Sequence, residues 1–222
     1  MKAQTKISLL VDNDSWILPW AEALQVAASG LGFDCVLVRN QDAVSPGFAC
    51  FLVGCTQIVS AEILQRNQHN LVVHESALPL GKGFSPMTWQ ILEGKSLLPI
   101  CLFEAQVEMD AGRIYYQDKI RLAGHELCDE WRALQGAKTV ELCLKFLREF
   151  GLEDSGEARI PSEQQGEPTY YPRRTASDSE LDIDKTLKQQ MDMLRVVDND
   201  RYPAFFRYRD CTYVLRIEKE KE

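Results

Sequence analysis

The sequence predicts an α/β protein with a mainly parallel sheet. Three observations carry this. Short apolar runs of strand length alternate with helical stretches, and such alternation builds a parallel sheet covered on both faces. Gly, Pro and capping residues separate the runs. The 222 residues are 45% hydrophobic, enough for a full core in one medium domain with a small appendage.

Strands are expected at 6–12, 33–38, 49–54, 70–74 and 98–103, each short, apolar and bounded by loop residues. Helices are expected at 15–29, 60–67 and 86–93. Ser15 and Ser60 stand where N-caps belong, and Gly30 and Gly94 where helices stop. A hairpin-like segment at 113–122 follows. Next comes a long amphipathic helix at 126–150, with Leu127, Trp131, Leu134, Leu142 and Phe146 on or near one face. The composition then turns to Gly, Glu, Ser and Pro. This divides the chain into a catalytic-size domain (1–150), a linker or surface loop (151–168) and a small C-terminal subdomain (169–222). The last part, with a helix at 185–197 and a hairpin of 204–208 with 212–217, is too small to hold much core alone. It is expected to pack on the main domain.

Formal net charge is −8, from 33 acidic and 25 basic side chains. That argues against nucleic-acid or anionic-membrane partners, which need excess positive charge. The seven cysteines include no C-x-x-C pair and sit mostly in apolar runs, as reduced core thiols of a cytoplasmic protein do. No secretory leader and no apolar run of membrane-spanning length is visible. No cluster has metal-ligand spacing, so no metal is expected.

The informative stretch is Val72-Val73-His74-Glu75-Ser76-Ala77-Leu78-Pro79, running into Gly81-Lys82-Gly83-Phe84-Ser85-Pro86. It reads as a buried strand ending on a histidine, where open α/β sheets place their chemistry. Asp110, in Asp110-Ala111-Gly112, follows another strand end. An imidazole and a carboxylate facing one cleft suit acid–base work. His69, in a polar turn, and His125, at a helix start, read as solvated. Asn13 and Trp16 follow the first strand, a ligand position in such sheets. Lys82, in its glycine loop, is a cation that can approach a phosphate. Tyr170-Tyr171-Pro172-Arg173-Arg174 sets two guanidinium forks beside two rings, a pattern suited to phosphate oxygens and bases, and equally to a salt-bridged surface.

Together, His74-Glu75-Ser76-Ala77-Leu78-Pro79, Gly83-Phe84-Ser85-Pro86 with Trp89, and Asp110-Ala111-Gly112 resemble the folate-dependent formyltransferases, which act on methionyl-tRNA, glycinamide ribonucleotide or sugars. The likeness is good over about 50–122. It extends to Tyr171-Pro172-Arg173-Arg174-Thr175, Asp178-Ser179-Glu180-Leu181-Asp182 and Arg201-Tyr202-Pro203-Ala204-Phe205, which are similar to the segment after the catalytic domain in the sugar and tRNA enzymes. The resemblance implies a Rossmann-like formyltransferase fold with a small α+β appendage. It also implies transfer of the formyl group of 10-formyltetrahydrofolate to a primary amine through a tetrahedral oxyanion. His74 takes the histidine role of an Asn-His-Asp set and Asp110 the aspartate role. The family asparagine lies two residues before the histidine, where this chain has Val72. Asn70 lies on the same strand face but roughly 6–7 Å further along, and can substitute only if the strand is bulged or shifted; backbone N–H groups and Ser76 are other donors. The folate ring is implied against Gly54, Cys55, Gln57 and Ile58 on one side and Phe103, Glu104, Val107 and Met109 on the other.

Among acceptors, the acidic balance and the short tail disfavour tRNA. A nucleotide-linked amino-deoxy sugar needs only a local diphosphate site and a stacking ring. Asn13, Trp16, Lys82, Phe84, Tyr171, Arg173 and Arg174 are the candidates for these. The favoured reading is therefore a cytoplasmic sugar N-formyltransferase of surface-glycan synthesis; the resemblance adds the homodimer as an assembly open to it. Formyl transfer to another amine, and a folate or nucleotide-sugar binder weakened by Val72, stay open.

Overall fold

The computed structural model describes residues 5–152 and 160–220; the middle of the expected 151–168 linker, and the first four residues, lie outside them. Element order is β1 (Lys6–Leu10), α1 (Leu18–Gly30), β2 (Asp34–Val38), β3 (Gly47–Leu52), α2 (Ala61–Leu64), β4 (Asn67–His74), β5 (Lys82–Gly83), α3 (Pro86–Leu92), β6 (Leu97–Glu104), β7 (Ile114–Arg121), α4 (Cys128–Phe150), β8 (Tyr170–Tyr171), α5 (Met191–Val196), β9 (Ala204–Tyr208) and β10 (Cys211–Leu215). Six strands form one sheet in the order β2-β1-β3-β4-β6-β7. The first four pair in parallel; β6 runs antiparallel to β4, and β7 antiparallel to β6.

Alternation along the strands splits the core. Leu9, Phe51, Leu71 and Leu102 face α1 and α4, where they meet Leu24, Leu142 and Phe146. Leu10, Cys50 and Leu52 face the other way and pack with Val44 and Ile63. The C-terminal part docks through buried polar bonds. Trp131 Nε1 donates to the Arg195 carbonyl at 3.0 Å, and Arg195 pairs with Glu126 at 3.4 Å.

Several expectations need correction. The 113–122 segment is one strand, since its partner is β6 rather than its own second half. Helix α1 starts at Leu18 with no side-chain cap, and Pro19 stands in its first turn, so Ser15 is not the N-cap; Ser60 does cap α2, accepting from Ile63 N–H. Helix α2 stops at Leu64 because the β4 ladder begins at Asn67. The 185–197 helix is shorter, a 3-10 turn at Lys188–Gln190 leading into α5. Leu134 is 42% exposed: the buried stripe of α4 runs through Trp131, Gln135, Thr139 and Leu142 instead. His69 is not solvated but lies edge-on to Phe48 and Phe146, with Nδ1 3.1 Å from the Tyr115 hydroxyl.

Candidate active site

A cavity of about 750 Å³, within the range of ligand sites, opens at the carboxyl ends of β1, β3 and β4. His74, the last residue of β4, lines it and is 6% exposed. Its Nε2 lies 2.8 Å from the Gly81 carbonyl oxygen. A carbonyl only accepts, so Nε2 carries the proton. Asp110 Oδ2 is 3.9 Å from the same nitrogen and accepts the Gly83 N–H at 2.8 Å. The imidazole and the carboxylate thus meet, 36 positions apart in the chain, across the Gly81–Gly83 main chain. Because β6 runs antiparallel to β4, no parallel strand end delivers Asp110. It is carried in by the 105–113 loop, which folds back over the sheet. Asp110 itself is left-handed (φ +54), a conformation Asp tolerates better than most residues. Gln164 fixes it by donating from Nε2 to the carbonyls of Asp110 and Gly112.

The Gly81–Gly83 loop is in turn tied to β8. Gly81 N–H donates to Thr169 Oγ1 at 2.8 Å, Lys82 N–H to the Thr169 carbonyl at 2.9 Å, and Phe84 N–H to the Tyr171 carbonyl at 3.2 Å. Gly83 is needed here twice over: its φ is +98, and a Cβ would stand 2.5 Å from the Tyr171 carbonyl oxygen.

The cavity has two limbs, one on each face of the β4 end. On the His74 side lie Gly54, Cys55, Gln57, Ile58, Val59, Leu64, Val72, Phe103, Ala105, Val107 and Met109. Asp12 organises this wall by accepting the N–H groups of Thr56 and Gln57. Burial pushes its carboxyl pKa up, but Asn13, Thr56 and Gln57 outweigh that and hold it below the ordinary value. Burial, then the Asp12 charge, pushes the Cys55 thiol up to about 12, so it is no nucleophile. On the opposite side α4 contributes Trp131, Arg132, Gln135 and Thr139, and the C-terminal part contributes Arg174, Asp198, Arg201 and Tyr202. Arg132 pairs with Asp198 at 2.7 Å and lies 5.6 Å from the Trp16 ring centre. Burial pushes Asp198 up; Arg132 and the N–H groups of Arg201 and Asp200 more than reverse it.

Of the residues proposed from sequence, Trp16, Phe84 and Arg173 line the cavity, with Arg173 5.0 Å from the Phe84 ring centre. Others do not serve as expected. The Asn70 amide donates to the Leu64 carbonyl at 2.7 Å and stays out of the cavity, because β4 is neither bulged nor shifted there. Ser76 Oγ is buried without a hydrogen-bond partner and also lies outside it. Glu104 accepts from the Asn70 N–H and the Tyr115 hydroxyl, away from the cavity. Lys82 is 6% exposed and, by alternation with Gly83, is not in the lining. Tyr171 stacks on Trp89 and donates its hydroxyl to Glu93. Arg174 lines the cavity, but its two terminal nitrogens donate to Val196, Asp178 and Ser179 and its Nε is buried. Asn13 spends its amide on Asp12 and Gly54. Sequence reasoning missed Glu75, Gln135, Thr139, Arg132, Asp198 and Arg201. The one available signal was polar Gln135 and Thr139 on the buried stripe of α4.

Residues 25–134 match the family model described as formyl transferase. This chain belongs to the formyltransferase family. Solved structures share the fold. Methionyl-tRNA formyltransferase from Clostridium thermocellum is 20% identical with a TM-score of 0.77, covering 99% of this chain and 94% of that one. A 4-N formyltransferase from Francisella tularensis is 17% identical with a TM-score of 0.73, covering 98% and 99%. HypX from Aquifex aeolicus, in complex with tetrahydrofolic acid, is 15% identical with a TM-score of 0.77; this formyltransferase chain matches over 97% of its own length but spans only 38% of HypX. Among the described residues no helix is long and apolar enough to cross a membrane.

Proposed function

We propose that this formyltransferase moves the formyl group of 10-formyltetrahydrofolate to the amine of a nucleotide-linked amino-deoxy sugar. The observation that carries the reading is the His74–Asp110 pair, buried together at one cleft and held by the same glycine loop. The His74-side limb fits a folate. Its walls are largely apolar and formed by loops, and Ile58 and Val107 stand 71% and 69% exposed at it, as apolar groups awaiting a ligand do. The folate would supply the electrophilic formyl carbon. His74 carries a proton on Nε2, held by the Gly81 carbonyl, that can turn to developing negative charge, and Asp110 stands 3.9 Å from that nitrogen.

The sugar reading rests on further residues of the cavity lining. Arg173 and Arg201 have no ion-pair partner among the described residues and stand ready for phosphate oxygens, beside Phe84, Trp16 and Tyr202 as stacking rings. An overall charge of −8 suits a compact anion at such a local site better than a polyanion. A turnover assay with 10-formyltetrahydrofolate and a panel of nucleotide-linked 4-amino-4,6-dideoxyhexoses tests this. Tetrahydrofolate release should require the sugar nucleotide. Val72, apolar and in the cavity two residues before His74, favours one second reading, a folate binder without turnover. Folate binding with no release in any arm would select it.

A further inference from the structure

Glu75 is the group in this cleft that the reaction as described leaves unused. It follows His74 directly, so strand alternation sends its side chain to the opposite face of the β4 end. There it lines the second limb with Trp131, Gln135 and Thr139 of α4. Gln135 of α4 is a polar side chain that shares this limb with its carboxylate. Among the described residues no lysine or arginine pairs with it, and Arg132, in the same limb, is committed to Asp198 at 2.7 Å. A carboxylate enclosed without a cation is costly, and proteins that keep one commonly let a ligand supply the positive group.

This inference rests on the formyl-transfer reading. An acceptor amine arrives from neutral water as an ammonium ion, and only the neutral amine attacks. We propose that Glu75 binds the acceptor's ammonium group and takes one proton from it, presenting the free amine at the β4 end, where both limbs of the cavity meet. Glu75 passes from carboxylate to carboxylic acid as ammonium becomes amine. The nitrogen then forms its bond to the formyl carbon, and the bond from that carbon to the folate nitrogen breaks. The folate nitrogen keeps the electron pair and receives, through His74, the proton the new amide gives up. Glu75 returns its proton to water, so one proton is released per turnover. Burial raises the carboxyl's pKa above the ordinary value, although His74 and Gln135 oppose it, and a stronger base suits this transfer.

The test compares wild type, Glu75→Gln and Glu75→Asp with 10-formyltetrahydrofolate and the same 4-amino-4,6-dideoxyhexose nucleotides, from pH 6 to pH 9. Glu75→Gln keeps the size and one hydrogen-bonding oxygen. It should lower kcat/KM on the order of 10²-fold near pH 7. The deficit should shrink toward pH 9, where the acceptor is already neutral, and Glu75→Asp should recover part of the rate. A wild type that turns over while Glu75→Gln matches it at every pH overturns the proposal. So does a Glu75→Gln deficit equal at all pH values, since a structural role would give that. Should Glu75→Gln not fold, a Glu75→Asp profile identical to wild type overturns it as well. A wild type inert with every one of these sugar nucleotides instead removes the proposed sugar acceptor, and this inference with it.

Discussion

The two faces of the β4 end are built by different means. On the His74 face, main chain does the holding: Gly81 and Gly83 fix imidazole and carboxylate, and Thr169 and Tyr171 fix those glycines. On the Glu75 face, side chains from α4 and the C-terminal part surround an open chamber, and an ion pair joins the two. The His74–Asp110 pair is thus held by groups with little freedom to move, the kind of preorganisation that best stabilises developing charge. The chamber on the Glu75 face is made of side chains rather than main chain.

His74→Ala should break the difference most visibly. It removes the proton donor, and turnover in the formyl-transfer assay should fall about 10³-fold while the circular-dichroism melt stays close to wild type. Near-full rate in this variant would show that the main-chain-held face is not where the chemistry happens. Arg132→Ala attacks the other face. It leaves Asp198 unpaired in a site where both side chains are under a fifth exposed, so denaturant unfolding should report a loss of about 3 kcal/mol. A loss well below 1 kcal/mol would mean the C-terminal part docks independently of that pair.

Glu75→Gln sharpens the contrast through pH. In the unfolded chain this carboxyl titrates at its ordinary value of 4.5; burial raises it in the folded protein. Between the two values the folded state holds more protons than the unfolded, so stability falls as pH rises through that window and stays lower above it. Glu75→Gln lifts this penalty. Its Tm should exceed that of wild type at pH 8, with the gain vanishing near pH 4; an equal gain at both would deny the buried charge. The smallest effect is expected from Thr169→Val, which strips the acceptor of the Gly81 N–H. About 1 kcal/mol of stability should go. The ¹⁵N resonances of His74, split from those of His69 and His125, should shift as the Gly81 carbonyl moves; unchanged resonances would show that β8 does not position the ring.

The meeting of His74 and Asp110 was legible because their residue types are rare in such settings: a histidine closing an apolar strand before a Gly/Pro loop, and an Asp-Ala-Gly turn. The limb on the Glu75 face was largely illegible. Tyr171, Lys82 and Arg174 have the right chemistry for phosphate or base, but Glu93, burial and the Val196, Asp178 and Ser179 oxygens claim them. Nothing in linear order distinguishes a spent guanidinium from a free one.

Local pattern alone determined the strand–helix alternation, the sheet's parallel half and the placement of His74 at a strand end, because apolar periodicity and turn residues act over a few positions. Tertiary structure decided the reversal of β6, the fold-back that carries Asp110 to His74, and which polar side chains remain available. Those depend on pairing between segments tens of residues apart, and a hydrogen-bond donor is free or spent only according to what the folded chain sets beside it.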